Sequence, residues 1–422
     1  MTSASARADY DVVVIGAGAA GLAAGRCLAG TGIKFRILEA RSRIGGRAWT
    51  LASAFPLDLG CGWLHSADIN PWTSILSERG FTIDKTPPAW GQHSLDLGFD
   101  AEQQRSFDSA ISTFRKSLTK AARRAPDQAA AELLEPNGRF NSLIEAVTSY
   151  ASGTALDCLS IHDTANYQDT GINWRVVEGY GAGIADFGRD LPVTLACPVA
   201  RLDHGSSPMR LTTPQGVITA DKVIITLPTN LLAREALVFD PPLPEKCAAA
   251  EVLPLGIADK LILAIDRPMN LPKDGHLFGR TDHADTASYH LRPFGRNLIE
   301  AYFGGQLATD LESEGPEEFY SFAVDELADL LGNSIRARLR PVAETAWGRD
   351  PFARGSYSYA LPGHADARAK LAEPVDERIF FAGEACSKKA FSTAHGAYLT
   401  GIAAAEAVLA ISSASKHPLT AR

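Results

Sequence analysis

The 422-residue chain holds no C-x-x-C pair, no basic run and no stretch of eighteen consecutive apolar residues. Its six cysteines (Cys27, Cys61, Cys158, Cys197, Cys247, Cys386) are scattered singly, which argues against a zinc site or a disulfide framework. Lys and Arg number 41 against 49 Asp and Glu, for a net charge of -8. That balance speaks against nucleic-acid binding and would weakly favour a cationic ligand. With no long apolar run, no transmembrane helix and no membrane partner are expected. The opening Met1-Thr2-Ser3-Ala4-Ser5-Ala6-Arg7 lacks an apolar signal core, so a soluble cytoplasmic protein is the expectation. No Ser-His-Asp arrangement or metal-ligand cluster stands out, and no metal site is predicted. The length exceeds one ordinary core, so two domains are expected.

What the chain does contain is a nucleotide fingerprint near its start. Asp11-Val12-Val13-Val14-Ile15 reads as a strand buried on both faces. Gly16-Ala17-Gly18-Ala19-Ala20-Gly21 follows and opens a small-residue helix. The glycines permit a tight turn and close approach of a pyrophosphate, while the helix N-terminus supplies positive potential. Ile37-Leu38-Glu39-Ala40-Arg41 ends the next strand, and Glu39 is placed to accept ribose hydroxyls. Gly45-Gly46-Arg47 comes next; a guanidinium there suits a phosphate, and Arg41 and Arg43 could share that task. A second set stands near the other end: Phe381-Ala382-Gly383-Glu384, then a glycine-spaced helix from Gly396 through Gly401. A simple nicotinamide enzyme would not need it. Together the two sets point to FAD.

Between these ends the character changes. Residues 101–124 and 128–152 are rich in helix formers with helical apolar spacing, punctuated by Pro126 and Pro136-Asn137-Gly138. Residues 199–228 read as a β-meander returning to the first domain. Residues 260–265 and 298–303 are strand-like. The expected division is a discontinuous FAD-binding domain (1–66, 175–239 and 375–422) and a substrate-binding domain (67–174 and 240–374).

On these motifs, together with Asp58-Leu59-Gly60-Cys61-Gly62-Trp63-Leu64-His65, Val199, Thr226-Leu227-Pro228, Gly256 to Lys260 and Trp347 to Tyr359, the chain resembles the flavin-containing amine oxidases. These include monoamine oxidases, polyamine oxidases and lysine-specific histone demethylases. The resemblance implies an α/β fold with a Rossmann-like FAD domain and a mixed-sheet plus helical substrate domain. It implies oxidation of an amine C–N bond to an imine, then an aldehyde or ketone, with O2 reduced to hydrogen peroxide. Lys260 matches the lysine that holds a water against flavin N5, and a cation there stabilises the reduced anion. Tyr357 matches one wall of the aromatic cage for the amine; the other wall falls at Thr393, which leaves the cage half open. His65 matches a histidine near the substrate amine, where it either handles the ammonium proton or is a satisfied structural histidine. Where covalently flavinylated relatives carry cysteine this chain has Ser356, so FAD is expected to be non-covalent. The cofactor contacts implied are Gly16, Gly18, Ala20, Gly21, Glu39, Ala40, Arg41, Gly46, Arg47, Gly62, Trp63, Val199, Thr226, Pro228, Trp347, Gly383, Glu384, Thr393, Ala394 and Ala397.

Alternatives remain within the same fold. A carbon–carbon desaturase would not need Lys260. An L-amino acid oxidase would need an arginine for the substrate carboxylate, for which Arg175 is a candidate. A flavin-bound interaction module lacks any helical tower or basic tail to support it. The substrate itself, an acidic partner for a second nitrogen (Glu178 being one candidate) and the choice between monomer and homodimer are not readable.

Overall fold

The computed structural model describes residues 8–267 and 270–416. In chain order the elements that matter are β1 (Tyr10–Ile15), α1 (Ala19–Leu28), β2 (Phe35–Leu38), α2 (Pro71–Glu78), α3 (Ala101–Ala121), α4 (Asn141–Ser152), β3 (Val193–Thr194), β4 (Arg201–Asp203), β5 (Met209–Thr213), β6 (Gly216–Ile225) and β7 (Val238–Asp240). They continue with β8 (Ala258–Ile265), β9 (Gly275–Phe278), β10 (Ser288–Leu291), β11 (Leu298–Gly304), α5 (Gly305–Glu314), α6 (Glu318–Leu331), β12 (Leu339–Glu344), β13 (Ile379–Phe381) and α7 (Ala394–Lys416).

Two sheets organise the molecule. The first runs β7-β4-β5-β6-β1-β2-β3, with β13 added beside β6. Its centre is parallel: β1 lies between β2 and β6, and β13 pairs in parallel with β6. Alternate residues of these strands enter different cores. Val12, Val14, Ile37, Ile224 and Phe380 pack with α1 and α7 on one side. Val13, Ile15, Leu38, Val223, Ile225 and Phe381 pack on the other. Burial on both faces is why the strands read as unbroken apolar runs. Helices α1 and α7 meet closely because Gly401 has no side chain; a Cβ there would lie 2.1 Å from the Ala20 carbonyl oxygen.

The second sheet is antiparallel, in the order β9-β10-β11-β8-β12. One face is apolar: Leu261, Leu263, Leu277, Tyr289, Ile299, Ala301 and Phe303 pack against Leu307 and Leu311 of α5 and Phe319, Ala323 and Leu327 of α6. By strand alternation the other face carries Lys260, Glu300, Tyr302, Ser288, His290 and His276. The predicted helical insertion is present as α3, with a capping box between Asp100 and Gln103, and as α4. A 3-10 turn at Ala130–Leu133 replaces the start of the second predicted helix, ahead of Pro136-Asn137-Gly138.

The cores cross the division drawn from sequence. Trp72 and Leu76 of α2 pack with Leu22 and Phe187 beside the first sheet. Ala249, Leu253, Ala367 and Leu371 pack on its opposite face. One helix among the described residues, α7, is long and apolar enough to cross a membrane by length and composition alone: Ala394–Ser413 has mean hydropathy 1.3. His395, Thr400 and Glu406 interrupt it, which is why no continuous apolar run is seen. Ala404, Ala405 and Val408 are spent in the core shared with α1.

Candidate active site

The loops at the carboxyl ends of β1 and β2 build a cradle almost free of side chains. Gly16 has φ +103°, and a Cβ there would sit 2.4 Å from Thr226 Oγ1. The same hydroxyl donates to the Ile15 carbonyl (2.8 Å), so Thr226 ties the end of β6 to the glycine turn. Gly18 bridges to Gly45, and a Cβ on Gly46 would lie 3.2 Å from the Gly18 Cα. Helix α1 starts at Gly18 with no side chain capping its N-terminal N–H groups, which leaves them for an anion. Glu39, 5% exposed, accepts from the N–H of Ala17 (2.7 Å) and of Arg41 (2.8 Å). The Glu39 carbonyl accepts from the N–H of Cys197, two residues before Val199.

The arginines diverge. Arg41 makes a bidentate pair with Asp350 (2.7 and 2.6 Å), so its charge is already matched. Arg43 lies over Trp49 and donates to the Gly46 carbonyl; burial, with Arg41 next to it, pulls it down to about 10. Arg47 donates to the Ser356 carbonyl (2.7 Å) and pairs with Glu384 (3.0 Å). Burial alone would raise the Glu384 carboxyl, but Arg47, the Ser358 hydroxyl (2.6 Å) and Arg368 together hold it below its ordinary value. Arg368 is fully buried and clamps Asp163 through two hydrogen bonds. A small cavity beside Arg47 is walled by Thr226, Pro228, Gly383 and Glu384, which brings both sequence ends to one place. Thr400 locks Gly383 from α7 through bonds to its N–H and its carbonyl.

On the second sheet, Lys260 is buried with its ammonium fixed by two acceptors. The Asp58 carbonyl lies at 2.8 Å and Glu300 Oε1 at 3.0 Å. A Cβ on Gly62 would approach Nζ to 3.3 Å, so the glycine leaves the room that the ammonium uses. Burial would lower the Lys260 ammonium, yet Glu300, Tyr302 and Asp58 hold it above its ordinary value. The Asp58 carboxylate faces elsewhere, accepting from Thr50 and from Tyr180 N (2.9 Å) and Gly181 N (3.2 Å). A cavity of about 50 Å³ opens here, lined among others by Gly62, Trp63, Lys260, His290 and Glu300.

Beside Lys260 stand two tyrosines. Tyr357 donates its hydroxyl to the Tyr150 carbonyl. The Tyr302 hydroxyl, 3.1 Å from that of Tyr357, must therefore donate to it, leaving its own oxygen free to accept. His65 lies near Trp90 (5.9 Å between rings), with Nδ1 2.7 Å from Asn173 Oδ1. The Asn173 amide nitrogen donates to the Gly171 carbonyl, which assigns its oxygen to His65. Nδ1 then carries the proton and Nε2 keeps its lone pair. Burial holds the His65 ring below its ordinary value, and so neutral.

This geometry has counterparts. A family model described as flavin containing amine oxidoreductase matches residues 19–88 and 70–409. The chain belongs to that family. Polyamine oxidase 2 of Arabidopsis thaliana is 29% identical over 433 residues, covering 94% of this chain and 87% of that protein. Lysine-specific histone demethylase 2 of Homo sapiens is 26% identical, covering 95% of this chain and 54% of the human one. A redesigned putrescine oxidase shares the fold with a TM-score of 0.75 at 19% identity, covering 95% of this chain and 99% of that one.

The cradle fits the family's cofactor. Two glycine turns exclude side chains where a pyrophosphate needs backbone, α1 offers uncapped N–H groups, and Arg47 and Glu384 line the adjoining cavity. This flavin-dependent amine oxidoreductase therefore uses FAD. Several of the expected residues have partners within the chain. Thr393 caps α7, accepting from Gly396 N (3.0 Å) and donating to the Ala390 carbonyl (2.6 Å), so its hydroxyl is committed. Ala394 accepts from Trp72 Nε1, and Ala397 N bonds the Thr393 carbonyl. Trp347 is buried and its backbone N–H bonds Asp259 (3.1 Å), a carboxyl raised by burial and by the neighbouring Glu312. Glu178 holds Thr82 instead of facing the cavity. Arg175 lines the cavity but bonds Asp84 (2.5 Å) and Asp274 (2.8 Å) between the rings of Trp63 and Phe294, so both of its terminal nitrogens already face carboxylates. Sequence reasoning missed Glu300 and Tyr302. The signal was the alternation Leu298-Ile299-Glu300-Ala301-Tyr302-Phe303, which places two polar side chains on one face.

Proposed function

We propose that this family member oxidises an aliphatic amine of the di- or polyamine class, with O2 as electron acceptor, hydrogen peroxide as product and FAD bound non-covalently. The observation that carries the substrate class is the double ion pair of Arg175, the arginine that an amino acid oxidase would need free. Arg175 is ion-paired with both Asp84 and Asp274, and Arg296 donates to the carbonyls of Pro56 and Val177. An amino acid carboxylate would find the charge of Arg175 already matched by two carboxylates. The full-length similarity to a plant polyamine oxidase supports the same reading.

FAD, when bound, supplies the acceptor for the two electrons and the hydrogen that leave the α-carbon. The chain's own groups prepare the amine. The amine must shed its proton so that its nitrogen lone pair can assist C–H cleavage, and neutral His65 offers Nε2 to take that proton. Tyr357 and Tyr302 supply an aromatic and hydroxyl wall, the Tyr302 oxygen accepting an N–H of the amine. Lys260 provides a fixed cation where negative charge develops. Ser356, in place of a cysteine, is engaged with the N–H (2.9 Å) and the carbonyl (2.8 Å) of Ala258, and it forms no thioether.

The test is anaerobic mixing of the yellow protein with a panel of diamines, polyamines, aryl monoamines, amino acids and a nicotinamide donor. Rapid bleaching by the aliphatic di- or polyamines is expected. Bleaching by amino acids alone would overturn the reading, and bleaching by none of the amines would return the carbon–carbon desaturase.

A further inference from the structure

An ammonium has three N–H donors, and two of the Lys260 donors are directed by named acceptors, the Asp58 carbonyl and Glu300 Oε1. Glu300 lies two residues before Tyr302 on β11 and so shares a face with it, and Tyr302 is the register partner of Lys260. Glu300 itself is the register partner of Ile262 on β8 and of His290 on β10. Its side chain is 23% exposed, toward the cavity that Lys260 also lines. No arginine or lysine other than Lys260 forms an ion pair with Glu300 among the described residues. His290 turns its Nε2 to Asp274 (3.5 Å). The carboxylate is therefore dedicated to the lysine.

We propose that Glu300 is a positioning residue for the reaction: it keeps Lys260 in the ammonium form and directs the one remaining N–H toward the flavin side of the cavity. This rests on the reading of Lys260 as the lysine that serves the cofactor. A buried ammonium without a counter-ion loses its proton readily, because desolvation penalises the charged form. The groups facing Lys260 are Glu300 and Tyr302 from β11, and Asp58 and Cys61 from the Asp58–Trp63 segment, whose Gly62 touches Nζ. Behind Glu300 stand His290 from β10 and Arg175 from the strand Trp174–Val176. Of all these, only Glu300 pairs directly with the ammonium through a carboxylate. The Asp58 carbonyl holds the position of Nζ without supplying a full charge.

The experiment uses the FAD-loaded protein and follows two readouts against pH: the visible spectrum of the resting oxidised flavin, and the rate at which the reduced protein is reoxidised by O2. The wild type should be flat in both to about pH 10, since its lysine stays charged. Glu300→Gln, close in volume and able to keep one hydrogen bond, should bring a transition below that pH. This corresponds to a rise on the order of tenfold or more in the proton dissociation constant. The double variant Glu300→Gln/Lys260→Met should lose that transition. A Glu300→Gln profile as flat as the wild type overturns the proposal. So does a transition that survives in the double variant, which would belong to Tyr302 or Cys61. Lys260→Met settles the premise separately: wild-type reoxidation in that variant removes the role of Lys260, whereas slow reoxidation with a flat Glu300→Gln profile removes only the role of Glu300.

Discussion

The two sheets solve opposite problems with the same secondary structure. In the first, β1 is apolar on both faces, and the chemistry lies outside it, in the turns after β1 and β2 where Gly16, Gly18 and Glu39 sit. In the second, one face is apolar and the other presents Lys260, Glu300 and Tyr302 from within the strands. Parallel strands covered by helices have no face to spare, so recognition moves to the loops at their carboxyl ends. An antiparallel sheet with helices on one side keeps a face for function. On the proposed reading the cofactor is served mainly by backbone and the amine by side chains.

If that contrast holds, substitutions should act differently on the two sheets. The largest effect is expected at Lys260. Lys260→Met should slow flavin reoxidation by about a hundredfold or more while leaving the protein yellow, since a fixed charge near the reacting centre is worth that much. Stopped-flow absorbance after anaerobic reduction checks it. A colourless variant would break the contrast, because it would mean that the strand side chain holds the cofactor itself. Next is Gly21→Ala, whose Cβ would lie 1.9 Å from the Gly16 carbonyl oxygen. Overpacking strain of ~1–3 kcal/mol should weaken FAD binding about ten- to a hundredfold. Kinetics of the fully reloaded enzyme should change little. Fluorescence titration of apoprotein with FAD measures the first, and turnover at saturating FAD the second.

The same contrast explains what could be read from sequence. The cradle was legible because its glycines have fixed spacing and follow an apolar run; Gly16 needs positive φ, and Gly21 tolerates no side chain. Lys260 was legible only through family resemblance, since a lysine in a strand carries no pattern of its own. Its partner Glu300 lies 40 positions on, and only the β8–β11 register brings the two together. Arg175 looked available because nothing in Asn173-Trp174-Arg175 reveals that Asp84 and Asp274 converge on it. That the Thr393 hydroxyl caps α7 was not legible either, because its hydrogen bonds depend on where the helix starts. Strand alternation told which residues share a face, but not which face meets the cofactor.

A third, smaller effect concerns acid stability, which the polar face of the second sheet should govern. Burial pushes His276 of β9 down to about 3, although its ring bonds the Gln92 carbonyl and the Ser288 hydroxyl. In the unfolded chain the ring titrates near 6.5. The folded value is the lower one, so the neutral buried ring is fully compatible with folding above about pH 6.5. Stability falls as pH drops from there toward about 3 and levels off below. His276→Gln should therefore lose less Tm between about pH 7 and pH 4 than the wild type, by about 2–5 °C. Scanning calorimetry at a series of pH values decides it; parallel curves would assign the acid limb to other groups, such as His395, which burial holds at about 4.

The finest test separates the two tyrosines. Tyr302→Phe removes the hydroxyl that donates to Tyr357, but the Tyr357 hydroxyl keeps its acceptor, the Tyr150 carbonyl. The ring of Tyr357 therefore stays in place, and the loss is about 1 kcal/mol, the net worth of a hydrogen bond. If the Tyr302 oxygen accepts from the substrate nitrogen, the KM for the best amine should rise a few-fold with kcat nearly unchanged. Tyr357→Phe should behave differently: it frees the Tyr150 carbonyl and deprives the Tyr302 hydroxyl of its acceptor, so both rings lose their anchor. Equal KM values for the two variants would mean that the hydroxyls only hold each other. The amine would then be recognised by ring faces alone, and the second sheet's function would rest on Lys260 and Glu300.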